Sequence, residues 1–159
     1  MNLMIIQARM GSSRLPGKVL KKINNKPCLL ILMERVLLAK KIDKVVIATS
    51  NKKADLRIVN FCKKYDFDYF CGSENDVLKR FFMTAKKFKA DTIVRITADC
   101  PLIDYRIIDK MLDIYHNSNL DLISNTIIPT FPDGLDIEIF NSKLLKKSHF
   151  LAKNNFDRE

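Results

Sequence analysis

The chain is organised around residues 7–18, which read Gln-Ala-Arg-Met-Gly-Ser-Ser-Arg-Leu-Pro-Gly-Lys. The apolar residues 3–6 lead into this stretch and are few enough to form a buried strand. Glycines let backbone N–H groups approach a ligand, serines add hydroxyl donors, and Arg9, Arg14 and Lys18 bring three positive charges. A strand that delivers such a loop to a sheet edge is how α/β folds build anion sites. The stretch suggests a polyphosphate site, although an ordinary basic surface loop has the same composition.

The familiar phosphate-binding motifs do not describe this loop. It contains no G-x-G-x-x-G dinucleotide fingerprint. Val19 follows Lys18 at the position where a Walker loop requires Ser or Thr. A phosphate site formed by residues 7–18 must therefore be of another kind.

Length and composition indicate a single globular domain over residues 1–159. Hydrophobic residues make up 47% of the chain, which is typical of a folded protein with a sizeable core. No apolar run approaches the roughly 20 residues that a membrane helix needs. The N-terminus also lacks a charged segment followed by a cleavable apolar stretch. We therefore expect a cytoplasmic protein without a membrane partner.

Charge and cysteine content raise two further classes of function. The formal net charge of +10 raises nucleic-acid binding as an alternative. The lysines form pairs near the ends of predicted helices, where cations suit the helix dipole, and no nucleic-acid-binding motif accompanies them. The 4 cysteines form no C-x-x-C pair and only 2 histidines accompany them, which argues against a zinc site. We predict buried isolated thiols and no nucleic-acid partner.

Strand and helix patterns alternate along the chain. Predicted strands cover residues 3–6, 44–49, 69–71, 92–97, 120–124 and 135–140, and helical patterns lie between them. Ser50 or Asn51 is expected to cap the second helix, Ser73 with Asp76 to form a variant capping box, and Asn141 to cap the last helix. This alternation predicts an α/β fold with a mostly parallel sheet covered on both faces.

Three loops follow predicted parallel strands and should meet at one edge of the sheet. They are residues 7–18, 72–76 and 98–102. Asp99, opposite the three loop cations, suggests a Mg²⁺ ligand, because Mg²⁺ prefers one or two carboxylates together with phosphates. Asp99 equally fits the N-cap of a turn with Pro101 just inside it. Arg95, within a predicted buried strand, needs a carboxylate partner, for which Asp99 is one candidate.

Asp136 and Glu138 form a second pair of candidate carboxylates. Their spacing of two on a predicted strand puts both side chains on one face. They would contact substrate or metal near the crevice, or lie on the solvent face of an edge strand. We favour the first interpretation for Asp136, which closely follows Gly134, and the second for Glu138.

Four ordered stretches carry a family resemblance that covers essentially the whole chain. They are residues 7–18, 72–78, 95–104 and 134–140. In sequence, order and approximate spacing, the chain resembles the spore-coat polysaccharide (SpsF-type) cytidylyltransferases. The 3-deoxy-manno-octulosonate and acylneuraminate cytidylyltransferases are relatives of that family. The resemblance implies a Rossmann-like, glycosyltransferase-A-like nucleotidyltransferase fold that binds CTP, a sugar or sugar acid, and Mg²⁺ as cofactor.

The resemblance also implies a role for each candidate residue. The expected catalytic residues touch the phosphates or the metal: Arg9, Arg14, Lys18 and Asp99. The expected nucleotide-binding residues are Ala8, Arg9, Gly11, Ser12, Arg14, Lys18, Ser73 and Asp99, of which Asp99 would hold the metal. The expected substrate-binding residues on the sugar side are Arg95, Asp136 and Glu138.

The implied reaction is attack by a sugar oxygen on the α-phosphate of CTP, with release of pyrophosphate. Such transfers depend on positioning and charge neutralisation more than on covalent help from the protein. A nucleotidyltransferase of the same fold that uses another base or a sugar 1-phosphate stays open, as does a non-catalytic nucleotide-binding fragment.

Relatives of this kind usually continue beyond the position of residue 159. In the related sugar-acid enzymes the later part supplies a second metal-ligating carboxylate, sugar contacts and much of the dimer interface. We therefore expect a C-terminally truncated chain, and a homodimer only where that part is present.

Overall fold

The computed structural model of the protein describes residues 1–12, 14–129 and 131–158. Six strands form the central sheet: β1 (Asn2–Gln7), β4 (Lys44–Ser50), β5 (Tyr69–Gly72), β6 (Thr92–Thr97), β7 (Leu122–Ser124) and β8 (Glu138–Asn141). Their order across the sheet is β5-β4-β1-β6-β8-β7. The first four are parallel to one another, whereas β8 is antiparallel to both β6 and β7. A separate short hairpin joins β2 (Lys22–Ile23) to β3 (Lys26–Pro27).

Helices cover both faces of the sheet. They are α1 (Cys28–Val36), α2 (Leu56–Tyr65), α3 (Val77–Lys87), α4 (Tyr105–His116) and α5 (Ser142–Leu151). Alternate β1 side chains point to opposite faces, so Met4 and Ile6 pack with α1, α2 and α4, and Leu3 and Ile5 pack with α3 and α5. This arrangement confirms the predicted mostly parallel sheet and explains why β1 is apolar without alternation. None of the described helices is long and apolar enough to cross a membrane.

The order of the strands opens a crevice between β1 and β6. Strands β4 and β5, which follow β1 in the chain, lie on one side of it, whereas the next strand of the sheet, β6, lies on the other side. Gln7 pairs in register with Ala48 of β4 and with Thr97 of β6. The loops after β1 and β6 therefore leave the sheet side by side, at the kind of switch point where open α/β sheets bind ligands.

Two of the three predicted helix N-caps are wrong, and one is confirmed. A 3-10 turn (Lys53–Asp55) precedes α2 and Asp55 occupies its N-cap position, so neither Ser50 nor Asn51 caps that helix. The N-cap of α3 is Asp76, whose side chain accepts a hydrogen bond from Lys79 N at 2.8 Å. Ser73, the predicted cap, therefore lies three residues before the true N-cap. Its Oγ accepts a hydrogen bond from Asp76 N within the turn that precedes α3. Asn141 is confirmed as the N-cap of α5, accepting from Leu144 N at 2.7 Å.

The cysteines agree with the prediction of buried, isolated thiols. All 4 cysteines are unpaired; three are buried and Cys71 is half-buried, close to the prediction.

Strand β8 begins at Glu138 rather than at residue 135, so Asp136 precedes it. The expectation that Asp136 and Glu138 share one face of a strand is therefore wrong.

Gly72 ends β5 at a point where neighbouring side chains leave no room for a methyl group. A Cβ at this position would lie 3.0 Å from Arg80 Cγ and 3.2 Å from Phe70 Cε1. Such contacts are tighter than ordinary van der Waals packing, so the neighbours would have to move.

We predict that Gly72→Ala lowers the free energy of unfolding by about 1–3 kcal/mol, the usual cost of overpacking. Gly11→Ala is the matched control, because its Cβ would meet only Glu74 Oε1 at 3.8 Å. Urea denaturation followed by circular dichroism measures both. Equal stability of the two variants would contradict this account of the β5 end.

Candidate active site

A cavity of about 250 Å³ lies at the crevice between β1 and β6. Its walls come from two loops that are far apart in sequence but follow neighbouring strands. Six predicted site residues line it: Arg9, Gly11, Ser12, Arg14, Lys18 and Asp99. The other lining residues, which were not predicted, are Gln7, Val19, Thr97 and Ala98. The structure thus brings most of the predicted nucleotide residues to one place, and their roles toward a ligand stay predictions.

Backbone bonds close the loop that follows β1. Gly17 N donates to Met10 O at 2.9 Å, and Gly17 has a φ of 70°, in the left-handed region that favours glycine. Lys18 then starts a 3-10 turn (Lys18–Leu20) in which Val19 is buried. The ends of the loop are therefore anchored, while Arg14 is exposed. Ser13 lies outside the described residues.

Ala8 supports the loop from below. Its side chain is 1% exposed, and its N–H donates to Ala48 O at 3.0 Å, which continues the pairing of β1 with β4. Ala8 does not line the cavity. Its predicted part in nucleotide binding would have to come through its backbone.

Lys18 and Asp99 form an ion pair across the cavity. Lys18 Nζ donates to Asp99 Oδ2, and both side chains are about one-third exposed, at 30% and 38%. Burial alone would raise the pKa of Asp99, but hydrogen bonds from Lys18 and Thr97 outweigh it and hold that pKa below its usual value. Asp99 is therefore ionised at neutral pH. The N-cap of the following helix α4 is Asp104, so Asp99 does not cap that helix.

Asp136 is a second candidate carboxylate, and the charge of Asp99 acts on it. Burial raises the pKa of Asp136, and the charges of Asp133, Asp99 and Glu138 raise it further. It has no ion-pair partner within residues 1–12, 14–129 and 131–158. A cation bound at Asp99 would relieve this repulsion, and Mg²⁺ needs only one or two protein carboxylates. The described part of the chain holds no cluster of three or more His, Cys, Asp or Glu side chains that could hold a metal ion.

Arg95 and Glu138 pair with each other and lie away from the cavity. The Arg95 Nη1 donates to Glu138 Oε2, and the guanidinium carbon stands 5.8 Å from the centre of the Phe81 ring. Both residues line another cavity, of about 280 Å³, between the sheet and helices α3 and α5. The partner of Arg95 is therefore not Asp99, and Glu138 does not lie on the solvent face of an edge strand. The structure does not bring this pair to the crevice.

Ser73 belongs to the turn at residues 72–76, beside the crevice. Its Oγ accepts a hydrogen bond from Asp76 N at 3.1 Å, which leaves its hydroxyl proton able to donate to a ligand. It lines a separate cavity of about 290 Å³ with Asn51 and Arg80. Glu74 brings the turn next to the loop, since its Oε1 lies 3.8 Å from the Cβ position of Gly11.

Asp55 anchors the loop and was not predicted from the sequence. Its carboxylate is buried, with Oδ1 accepting from Met10 N at 2.6 Å and Oδ2 accepting from Ser50 Oγ. In the sequence, Asp55 resembles an ordinary residue of the first turn of a helix. No pattern near it indicates a hydrogen bond to Met10, which is 45 residues away in the chain. Only the pairing of β1 with β4 brings Met10 to it.

Residues 3–159 match the family model described as Cytidylyltransferase. The chain belongs to the cytidylyltransferase family. It is 40% identical over 147 residues to the spore coat polysaccharide biosynthesis protein SpsF of Bacillus subtilis, covering 90% of this chain and 60% of that protein.

Solved structures give the same fold. A cytidylyltransferase from Leptospira borgpetersenii superposes with a TM-score of 0.94 at 38% identity, over 99% of this chain and 67% of that one. A CMP:2-keto-3-deoxy-manno-octonic acid synthetase complexed with CTP superposes with a TM-score of 0.75 at 20% identity, over 96% of this chain and 79% of that one. The second likeness shows the fold alone. The chain spans 60–63% of the length of the curated relatives that it matches at 40–42% identity.

We predict that Asp55→Ala lowers the free energy of unfolding by about 2 kcal/mol or more, the cost of leaving buried donors unsatisfied. The substitution leaves the buried Met10 N–H and the Ser50 hydroxyl without their acceptor. Asp43→Ala is the control, because that exposed carboxylate accepts one bond, from Asn2 N at 2.7 Å. Denaturant titrations compare the two, and a loss at Asp55 no larger than that at Asp43 would show that the anchor is unimportant.

Proposed function

We propose that the protein is a CTP-dependent cytidylyltransferase that transfers CMP to a sugar or sugar acid for surface-polysaccharide synthesis and releases pyrophosphate. The observation that carries the proposal is the cavity between β1 and β6, where three loop cations face the ionised Asp99. The 40% identity to SpsF supports a role in polysaccharide synthesis. The acceptor class is proposed from the relatives rather than from a sugar pocket.

The loop residues would bind the triphosphate by charge and by hydrogen bonds. Arg9 and Arg14 are exposed at the cavity and can turn their guanidinium groups toward phosphate oxygens. Lys18 has three N–H donors, and Asp99 uses one of them, so the others can bond a phosphate at the same time. These charges would stabilise the negative charge that develops on the departing pyrophosphate.

Asp99 supplies carboxylate oxygens of the kind that Mg²⁺ prefers as ligands. Asp99 would hold the ion, and Asp136 would lie toward the sugar acceptor. The ion would supply charge neutralisation at the α-phosphate and a lower pKa for the attacking oxygen. Lys18 would keep Asp99 ionised and fixed in position.

We predict that CTP binds at least about tenfold more tightly than ATP, GTP or UTP, a difference of about 1.4 kcal/mol. Isothermal titration calorimetry with Mg²⁺ measures the four affinities. Equal binding, or no binding, of all four nucleotides would contradict the cytidine assignment. Pyrophosphate release in the presence of a panel of sugar acids tests turnover, and tight CTP binding without release would identify a binding fragment.

We also predict that Asp99→Asn removes the Mg²⁺-dependent part of CTP affinity. The amide cannot replace an ionised carboxylate as a ligand for a hard cation. Titrations of CTP with Mg²⁺ and with EDTA should then give the same dissociation constant in this variant. Asp113→Asn is the control, since that carboxylate is 56% exposed and pairs with Lys41 on the outside of α4. Metal dependence that survives in Asp99→Asn would remove Asp99 from the metal site.

A further inference from the structure

Arg80 is a buried cation whose described side-chain hydrogen bonds all go to the turn beside the crevice. It lies in α3 and is 1% exposed. Its Nη1 donates to the carbonyl oxygen of Ser73 and reaches that of Glu74 at 3.5 Å. Its aliphatic part packs against Gly72, where an added Cβ would lie 3.0 Å from Arg80 Cγ. One side chain thus contacts three successive residues of the turn.

The charge of Arg80 is not neutralised by an ion pair. No carboxylate lies within 4.0 Å of its guanidinium in the described ranges, and its Nε and Nη2 have no hydrogen-bond partner there. Burial lowers the pKa of Arg80, and the charge of Arg9 lowers it further. Arginine nevertheless stays protonated in proteins. A buried, unpaired cation is costly, and the hydrogen bonds to the turn carbonyls compensate only part of that cost.

The turn held by Arg80 is also connected to the loops of the crevice. Asn51 N donates to Gly72 O at 2.9 Å, which links the turn to the end of β4. Glu74 pairs with Lys52 and approaches Gly11. A shift of the turn would therefore move the wall next to Gly11.

We propose that Arg80 is a positioning residue of the nucleotide site, holding the 72–76 turn by its carbonyl groups in the place where the turn meets the nucleoside. The inference rests on the proposed function, because it assumes that a nucleotide binds across residues 7–18 and 72–76. Arg80 acts through the turn, since its side chain is 1% exposed and its guanidinium donates to the turn carbonyls. Its removal should therefore weaken binding of CMP and CTP alike, because both share the nucleoside part.

The test compares Arg80→Met, which keeps the apolar stem, with Arg80→Lys, which keeps the charge and one direct donor. Calorimetry at a temperature where denaturation curves show each variant folded gives the dissociation constants for CTP and CMP. We expect Arg80→Met to weaken both by about tenfold, the factor for a released turn that holds its binding position about one-tenth of the time, and Arg80→Lys to recover part of the loss. Lys86→Met, an exposed change of the same charge on the same helix, should stay within about twofold of the wild type.

Amide hydrogen exchange without nucleotide supplies a second measurement. Arg80→Met should speed exchange at residues 74–76, whereas Lys86→Met should not. Unchanged exchange, unchanged affinities, or a loss confined to CTP would overturn the positioning role. If the wild type binds no nucleotide, the proposed function fails and the inference fails with it; if the wild type binds CTP and Arg80→Met binds it equally well, only the inference fails.

Discussion

The pairing of β1 with β6 is the constraint on which the crevice depends. Gln7 lies beside Thr97, so the loop after β1 and the loop after β6 start at the same height on the sheet. A slip of one residue would turn Arg95 toward the apolar face packed by α1, α2 and α4, and away from Glu138. The cost of burying that charge helps to fix the register. Lys18 can meet Asp99 because this register is fixed.

The electrostatics of the crevice suit an anionic ligand. Arg9, Arg14 and Lys18 surround one cavity, and the only carboxylate that lines it within the described residues is Asp99. Arg80 adds a fourth cation behind the turn. Exposure to water lowers the mutual repulsion of Arg9 and Arg14, and the pair with Asp99 compensates Lys18. A polyphosphate would neutralise the remaining charges, whereas an uncharged ligand would not.

The sequence was informative wherever local pattern determines structure. Composition and periodicity predict the apolar β1 and the β-branched β4, and they predict β6 with the same bounds that the structure shows. Parallel topology predicts that the loops meet at one edge of the sheet. The prediction was weakest for contacts between distant residues. Nothing local to Asp55 indicates that it binds Met10, and nothing local to Arg95 indicates that its partner is Glu138 rather than Asp99. Both contacts depend on strand order. Strand β8 begins only at Glu138, so Asp136 lies outside it.

The central claim is that the triphosphate lies in the crevice between β1 and β6. A crystal structure of the protein with CTP and Mg²⁺ tests it most directly. We predict phosphate density against Gly11, Arg14 and Lys18, with the metal on Asp99 and the nucleoside toward the 72–76 turn. A nucleotide bound instead in the cavity formed by the sheet, α3 and α5, beside Arg95 and Glu138, would contradict it.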